Sequence, residues 1–221
     1  KESIVFPHSH CMTCGYQLRW YDLVPLFSFL FLRGRCRKCH TKLSLQYPLV
    51  EGMNGALYVI VFLANGWNYM SVVYCLLTSA LIVLSVLDFR TMEIADGINL
   101  FILLLGIAAT LLDLHAWKDH VIGMFSVSVF LLVIYLVTVG RGIGGGDIKL
   151  MFGAGLLLGW KGAVLAFFLG CIIGSVVHVI RMIAKKAGRM LAMGPYLSAG
   201  ILLAALWGNA WINWYLSLLG M

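Results

Sequence analysis

The sequence predicts an all-α polytopic membrane protein, with about seven transmembrane helices following a small N-terminal cytoplasmic module of zinc-ribbon type. Three observations predict it. Hydrophobic residues make up 62% of the 221 residues and charged residues only 11%, with a mean hydropathy of +0.95. A soluble domain carries about 25% charged residues, so water is a poor solvent for this chain and bilayer a natural one. The apolar residues fall into seven stretches, near 47–65, 69–87, 97–113, 120–139, 148–159, 162–182 and 195–217. Residues 1–46 differ from the rest, being polar and basic and holding four of the six cysteines. The chain therefore divides into a module, 1–46, and a membrane domain, 47–221.

The module is read from its cysteines. Cys11-Met-Thr-Cys14 and Cys36-Arg-Lys-Cys39 form two CxxC knuckles separated by 21 residues. Two residues between thiolates let each pair wrap one face of a tetrahedral metal, and two knuckles complete a four-thiolate shell. Arg33-Gly34-Arg35 supplies a glycine for a tight turn before the second knuckle. The expected ligands of a structural zinc ion are Cys11, Cys14, Cys36 and Cys39; such a closed site has no open position for catalytic water. A redox pair is the alternative, but two knuckles in a reducing compartment read more naturally as ligands than as disulfides. His8, His10 and His40 lie nearby, but four thiolates leave them no vacancy. Cys75 and Cys171, each alone in an apolar stretch, read as small buried hydrophobes.

The spans follow in order. A helix needs about 20 residues to cross the hydrocarbon, or about 17 at the short end. The fifth stretch, Ile148 to Leu158, falls short of this, and Gly159-Trp160-Lys161-Gly162 reads as a tight turn into the sixth. Charge sets the orientation. Lys1, Arg19, Arg33, Arg35, Arg37, Lys38 and Lys42 lie in the module. With seven crossings, Arg90, Arg141, Lys149, Arg181, Lys185, Lys186 and Arg189 fall on the same side, leaving Lys118 and Lys161 opposite. Cationic loops mark the cytoplasmic side, so the N-terminus is expected inside and the C-terminus outside. A re-entrant fifth stretch would send Arg181 to Arg189 outside, so the charges favour a full crossing. The net charge of +7 is thus a topology signal rather than a nucleic-acid footprint. Trp207, Trp211 and Trp214 read as interfacial or lipid-facing anchors. No signal-peptide pattern is visible at the N-terminus, and a start at Lys1 reads as internal to a longer protein.

Nine acids occur in the chain, few enough to place one by one. Glu2, Asp22, Asp113 and Asp119 read as solvated surface. Asp88, Glu93 and Asp96 cluster at the inner end of the second span, Glu51 at the inner start of the first. Asp147 closes Gly144-Gly145-Gly146-Asp147 before the fifth span. Asp88 and Asp147 therefore share one depth although they are far apart in sequence. Two carboxylates in one water-accessible pocket repel when both are ionised, so one keeps a proton. The ionised member can take a proton from water while the neutral one donates to an amide oxygen, which is aspartyl proteolysis. Gly144, Gly145 and Gly146 are expected to free the backbone for positive φ and for close approach of an extended substrate.

On these residues the sequence closely resembles the type IV prepilin peptidases (prepilin leader peptidase/N-methyltransferases), the G-x-G-D aspartyl proteases. The likeness runs through both CxxC knuckles with Arg33-Gly34-Arg35, Tyr47-Pro48-Leu49-Val50-Glu51, and Asp88 with Ile94 and Asp96 downstream. It continues through Gly144 to Asp147 with Lys149, and Gly194-Pro195-Tyr196. It implies a bacterial inner-membrane enzyme with catalytic Asp88 and Asp147, cutting after a glycine that joins a basic leader to an apolar helix. The implied substrates are prepilins and pseudopilins of pilus assembly, type II secretion or DNA uptake. It also implies, for many members, methylation of the new N-terminus with S-adenosylmethionine, which no glycine-rich nucleotide fingerprint in this chain supports independently. Two departures stand out: Ala95 replaces the usual proline of Ile-Pro-Asp, and the span that usually precedes the module is absent from this sequence, so eight spans are expected in the whole protein.

A basic leader approaching a basic face meets repulsion; anionic membrane lipids, and Glu51, Glu93 and Asp96, are the expected counter-charges. The rival reading from another class is a proton- or cation-coupled transporter with Asp88 and Asp147 as a relay. It expects acids near the midplane and broken helices meeting there. A zinc scaffold leaves the paired aspartates without a role, and a presenilin-like protease leaves the cysteine module without one.

Overall fold

Inside hydrocarbon each backbone N–H and C=O must be satisfied within its own segment, which leaves helices as the means by which apolar stretches like these cross. The computed structural model describes residues 9–24, 26–140, 142–184, 192–218 and 220. Lys1, Glu2, His8, Arg141, Lys185, Lys186 and Arg189 lie outside them. Among the described residues the secondary structure is helical apart from two isolated bridges. They form two compact units, one ending at Leu57 and the other beginning at Tyr58.

In the first unit the two knuckles repeat one hydrogen-bond pattern. Cys11 N–H donates to the Tyr16 carbonyl and Gly15 N–H to the Cys11 carbonyl; Cys36 N–H donates to Thr41 and His40 N–H to Cys36. The fifth residue of each turn is left-handed, Gly15 at φ 67° and His40 at φ 55°, so His40 shapes a turn rather than replacing a ligand. A bridge closes each knuckle, His10 with Gln17 and Arg35 with Lys42. Between them run a 3-10 turn, Trp20–Asp22, and a short helix α1, Phe27–Phe31. Gly34 takes φ 67°, and a Cβ there would sit 2.8 Å from the Phe29 ring. Asp22 is not solvated surface as expected. It is buried, and its carboxylate meets Arg37 at 2.7 Å because the turn folds it under that guanidinium.

Helix α2, Gln46–Asn65, leads into the second unit. There follow α3, Tyr69–Thr91; α4, Asp96–Leu112; α5, Trp117–Val137; α6, Gly145–Ile183; and α7, Gly194–Leu218. Helices α2, α3, α6 and α7, and α5 with the 3-10 turn before it, are each long and apolar enough to cross a membrane, and α4 is a shorter apolar helix. The chain is a multi-pass membrane protein.

Local chemistry fixes several ends. Asn68 caps α3 by accepting from Ser71 N–H at 2.8 Å. Helix α6 is interrupted once, at Gly159, where φ 73° and ψ 172° break the ladder. The expected turn over 159–162 is thus narrower, because one glycine suffices to redirect the chain. The two arms run in opposite directions along α5. Partners on the first arm fall in number, Leu156 at His120 and Phe152 at Phe125, whereas Phe167 of the second arm meets Phe130. The first arm, 145–158, gains Gly145, Gly146 and Asp147 over the expected stretch, yet is only ~21 Å long.

Glycines make the close approaches on which this packing depends. Gly123 of α5 lies against Gly155 and Gly159, Gly106 of α4 against Gly153, and Gly200 of α7 against Ala166. Small residues at helix crossings let backbones meet where lipid supplies no hydrophobic drive. The core holds Leu77, Leu84, Ile102, Leu150, Met151 and Ile201, all fully buried or nearly so. A smaller cluster joins Val61 of α2 to Cys75 and Leu206. Cys75 is buried as expected, Cys171 only half-buried. Trp207, Trp211 and Trp214 all reach the surface.

Candidate active site

One end of the helix bundle gathers the start or finish of α3, α4, α6 and α7. Asp88 lies in the last turn of α3. That helix stops at Thr91 because Met92 takes the left-handed region, φ 56°, and donates its N–H to the Asp88 carbonyl at 2.9 Å. The chain then passes through Ile94 and Ala95 into α4, where Ala95 is the extended N-cap with φ −65° and ψ 129°. A proline ring would impose that same φ.

Asp88 is 4% exposed. Its Oδ2 accepts the Gly194 N–H at 2.9 Å, and Gly194 is the first residue of α7. The C-terminal end of its own helix disfavours a negative charge at Asp88, and the positive N-terminal end of α7 compensates. A side chain at Gly194 would block this contact, since its Cβ would lie 2.6 Å from that carboxylate oxygen.

Asp147 is 8% exposed and sits in the first turn of α6, again at the positive end of a helix. Gly146, the residue before it, packs against Ile94, six residues beyond Asp88. Its Oδ1 is buried without a hydrogen-bond partner among the described residues, as are Asn99 Oδ1 and Ser198 Oγ. A buried carboxylate oxygen left open is costly unless something else meets it.

The three glycines before Asp147 work by space rather than by unusual backbone. None of them has positive φ, contrary to the expectation; Gly144 is an extended N-cap at φ −72° and the other two are helical. A Cβ on Gly146 would fall 2.8 Å from Ile94, one on Gly144 would lie 3.2 Å from Asp147 Oδ2, and Gly145 faces open space. Helix α6 starts at Gly145, so Gly145 and Gly146 take helical backbone, and the missing Cβ of Gly146 makes room for Ile94.

The other acids take separate places. Asp96, exposed at the start of α4, pairs with Lys149 of α6 at 2.6 Å. Glu93 is exposed in the 92–95 connection. Glu51 belongs to the first unit, where it accepts the Leu26 N–H at 3.2 Å. Asn99, buried on α4 and part of no motif, donates from Nδ2 to the Gly146 carbonyl at 3.4 Å. An amide in an otherwise apolar helix was the available signal.

In the first unit, Cys11, Cys14, Cys36 and Cys39 bring their sulfurs within 4.8 Å of one another. Cys11 and Cys39 are 3.7 Å apart, Cys14 and Cys36 4.0 Å. Four ligands at the zinc–sulfur bond length stand ~3.8 Å apart in a tetrahedron, so the donor set fits such an ion. The Thr41 hydroxyl and amide beside Cys39 pull its thiol down to about 6, whereas burial and the neighbouring cysteines push Cys14 up to about 11.

The sequence has counterparts among known proteins. Residues 1–65 match the bacterial peptidase A24 N-terminal domain, and residues 75–179 match the type IV leader peptidase family. The prepilin leader peptidase/N-methyltransferase of Bacillus subtilis (strain 168) is 32% identical over 219 residues, covering 98% of this chain and 88% of that protein. The chain belongs to the type IV leader peptidase family. Proteins of the same description from Aeromonas salmonicida (strain A449) and Neisseria gonorrhoeae are 32% and 30% identical, over 97% of this chain and 76% and 77% of theirs. No solved structure gives a significant match. As a leader peptidase this chain is an enzyme of a bacterial inner membrane. Both matched regions contain residues described above, the four cysteines in the first and Asp88 and Asp147 in the second.

Proposed function

We propose that this leader peptidase removes the basic leader of type IV prepilins or pseudopilins after a glycine at the cytoplasmic face, with Asp88 and Asp147 as its catalytic pair. The observation that carries the reading is that two nearly buried carboxylates sit at helix ends gathered at one end of the bundle, one oxygen of Asp147 lacking a partner among the described residues. Their placement at helix ends also weighs against a midplane ion relay.

In this mechanism one carboxyl is ionised and the other protonated. The carboxylate takes a proton from water as the water oxygen attacks the scissile carbonyl carbon. The neutral acid gives its proton to the carbonyl oxygen. As the tetrahedral gem-diol collapses, one hydroxyl returns its proton to the carboxylate that had donated, the C=O is restored, the C–N bond breaks, and the leaving nitrogen takes the proton held by the other carboxyl. Gly145, open to the surroundings, and its neighbours Gly144 and Gly146 leave room for an extended substrate backbone. Glu93 and Asp96 supply negative charge nearby for a basic leader, with Glu51 a further acid in the first unit and anionic lipid a further source.

The four cysteines fit a structural zinc ion that clamps the two knuckles of the module, which would comprise residues 1–46 ahead of a membrane peptidase domain, 47–221. The charge distribution supports placing that module and the aspartates in the cytoplasm. N-methylation is a second reading, favoured by the names of the relatives; S-adenosylmethionine would supply the methyl group, and no residue is assigned to it.

The test is cleavage of a prepilin-like peptide by the full chain in lipid, read by mass spectrometry. Wild type should cut after the leader glycine, and folded Asp88→Asn and Asp147→Asn should each lose about 10³-fold or more. Full activity in either folded variant would reject the pair.

A further inference from the structure

Three buried polar side-chain atoms lack partners among the described residues, and two of them belong to residues joined through one peptide. Asn99 donates from Nδ2 to the Gly146 carbonyl at 3.4 Å, and the next residue is Asp147. Asn99 Oδ1 and Asp147 Oδ1 are both left as open acceptors. As a residue of α6, Gly146 also presents its carbonyl to the helix's own ladder, so the Asn99 bond is additional to what folding requires. An apolar residue of similar volume at position 99 would leave no unsatisfied amide oxygen, and the Gly146 carbonyl would keep its place in the ladder of α6. The chain instead retains a buried amide, 5% exposed, with its oxygen unmet. Each open acceptor calls for a donor, and a water molecule brings two O–H donors.

We propose that Asn99 is a positioning residue of the peptidase reaction. Its Nδ2 steadies the peptide that carries Asp147, and its Oδ1 joins Asp147 in orienting the attacking water. This rests on the assignment of Asp88 and Asp147 as the catalytic pair. Asn99 exchanges no proton and forms no bond to substrate; it fixes the direction from which the water oxygen approaches. Nearby, the Asp96–Lys149 ion pair ties the same turn of α4 to the same turn of α6 from the exposed side. Residues 96 and 99 thus grip 149 and 146 as a two-point clamp.

The experiment compares Asn99→Thr with Asn99→Val in the full chain in lipid, because the two side chains share one shape and differ by a hydroxyl. Thermal unfolding, kcat and KM are measured for both, with Asp147→Asn alongside. The expected result is a kcat for Asn99→Val about tenfold or more below that of Asn99→Thr. KM should agree within about twofold, since ground-state binding is untouched. The unfolding temperature of Asn99→Val should equal or exceed that of Asn99→Thr. Equal kcat values, or a fall in kcat that tracks a fall in unfolding temperature, would overturn the proposal. An active Asp147→Asn would instead overturn the catalytic pair itself, and the two failures are distinct. Should both variants fail to fold, Asn99→Ser assayed against wild type answers the same question. Wild-type kcat overturns the proposal, and a reduced kcat at unchanged KM and stability supports it.

Discussion

The amide of Gly194 lies 2.9 Å from Oδ2 of Asp88, a residue 106 positions earlier in the chain, and both groups are buried. This bond joins the end of α3 to the beginning of α7 and places the positive end of a helix on one carboxylate of the pair. Nothing larger than glycine fits: a Cβ would come within 2.6 Å of the carboxylate and 3.0 Å of Leu84.

Gly194→Ala should therefore both destabilise the bundle and misplace Asp88. The expected cost is about 1–3 kcal/mol from overpacking. On the role proposed for Asp88, a displacement of about 1 Å would reduce turnover by about 10²-fold. Thermal unfolding together with prepilin cleavage measures both. Wild-type behaviour in the variant would mean that α7 does not hold Asp88 as described.

Ala95→Pro should stabilise the protein. Ala95 already has φ −65° at the N-cap of α4, so the ring restricts the unfolded chain without straining the folded one. A gain of about 0.4–1 kcal/mol is expected, seen as a higher unfolding temperature with cleavage retained. A lower unfolding temperature would show that the Ala95 N–H is needed in the native state.

Lys149→Ala should change global stability little. Its partner Asp96 and Lys149 itself are both well exposed, and exposed pairs contribute about 0–1 kcal/mol. The variant should unfold within a few degrees of wild type at physiological salt. A large loss of stability would assign the pair a structural weight that its exposure does not suggest.

Purified wild-type chain should carry stoichiometric zinc by elemental analysis, and Cys11→Ser or Cys36→Ser should lose it. Both of those sulfurs are buried within the four-thiolate cluster. Protons compete with the metal for thiolates, so acidification should release the ion. Retention of full zinc by Cys36→Ser would move the site elsewhere.

Much of this was legible in the primary structure because its signals are local. The paired knuckles have metal-ligand spacing, and the apolar runs match helical crossings to within a few residues. Asp88 and Asp147 stand out because acids are scarce in an apolar chain and because both fall at span ends. The misreadings arose where the outcome depends on contacts distant in sequence. The glycines before Asp147 suggest unusual backbone, but their use is to admit Ile94 and to keep the space beside the carboxylate clear. Asp22 reads as surface until the fold brings Arg37 over it.

Composition and spacing by themselves determined that the chain enters a membrane, that four cysteines can meet, and that two aspartates fall at the ends of apolar stretches. They could do so because solvent preference and chelate geometry are properties of short segments. Only the tertiary structure decided that α7 delivers an amide to Asp88 and that Asn99 holds the peptide before Asp147. It also decided that the chain turns back at Gly159 alone. Those choices follow from helix packing, where the absence of a Cβ or the reach of one amide selects among arrangements that no local pattern distinguishes.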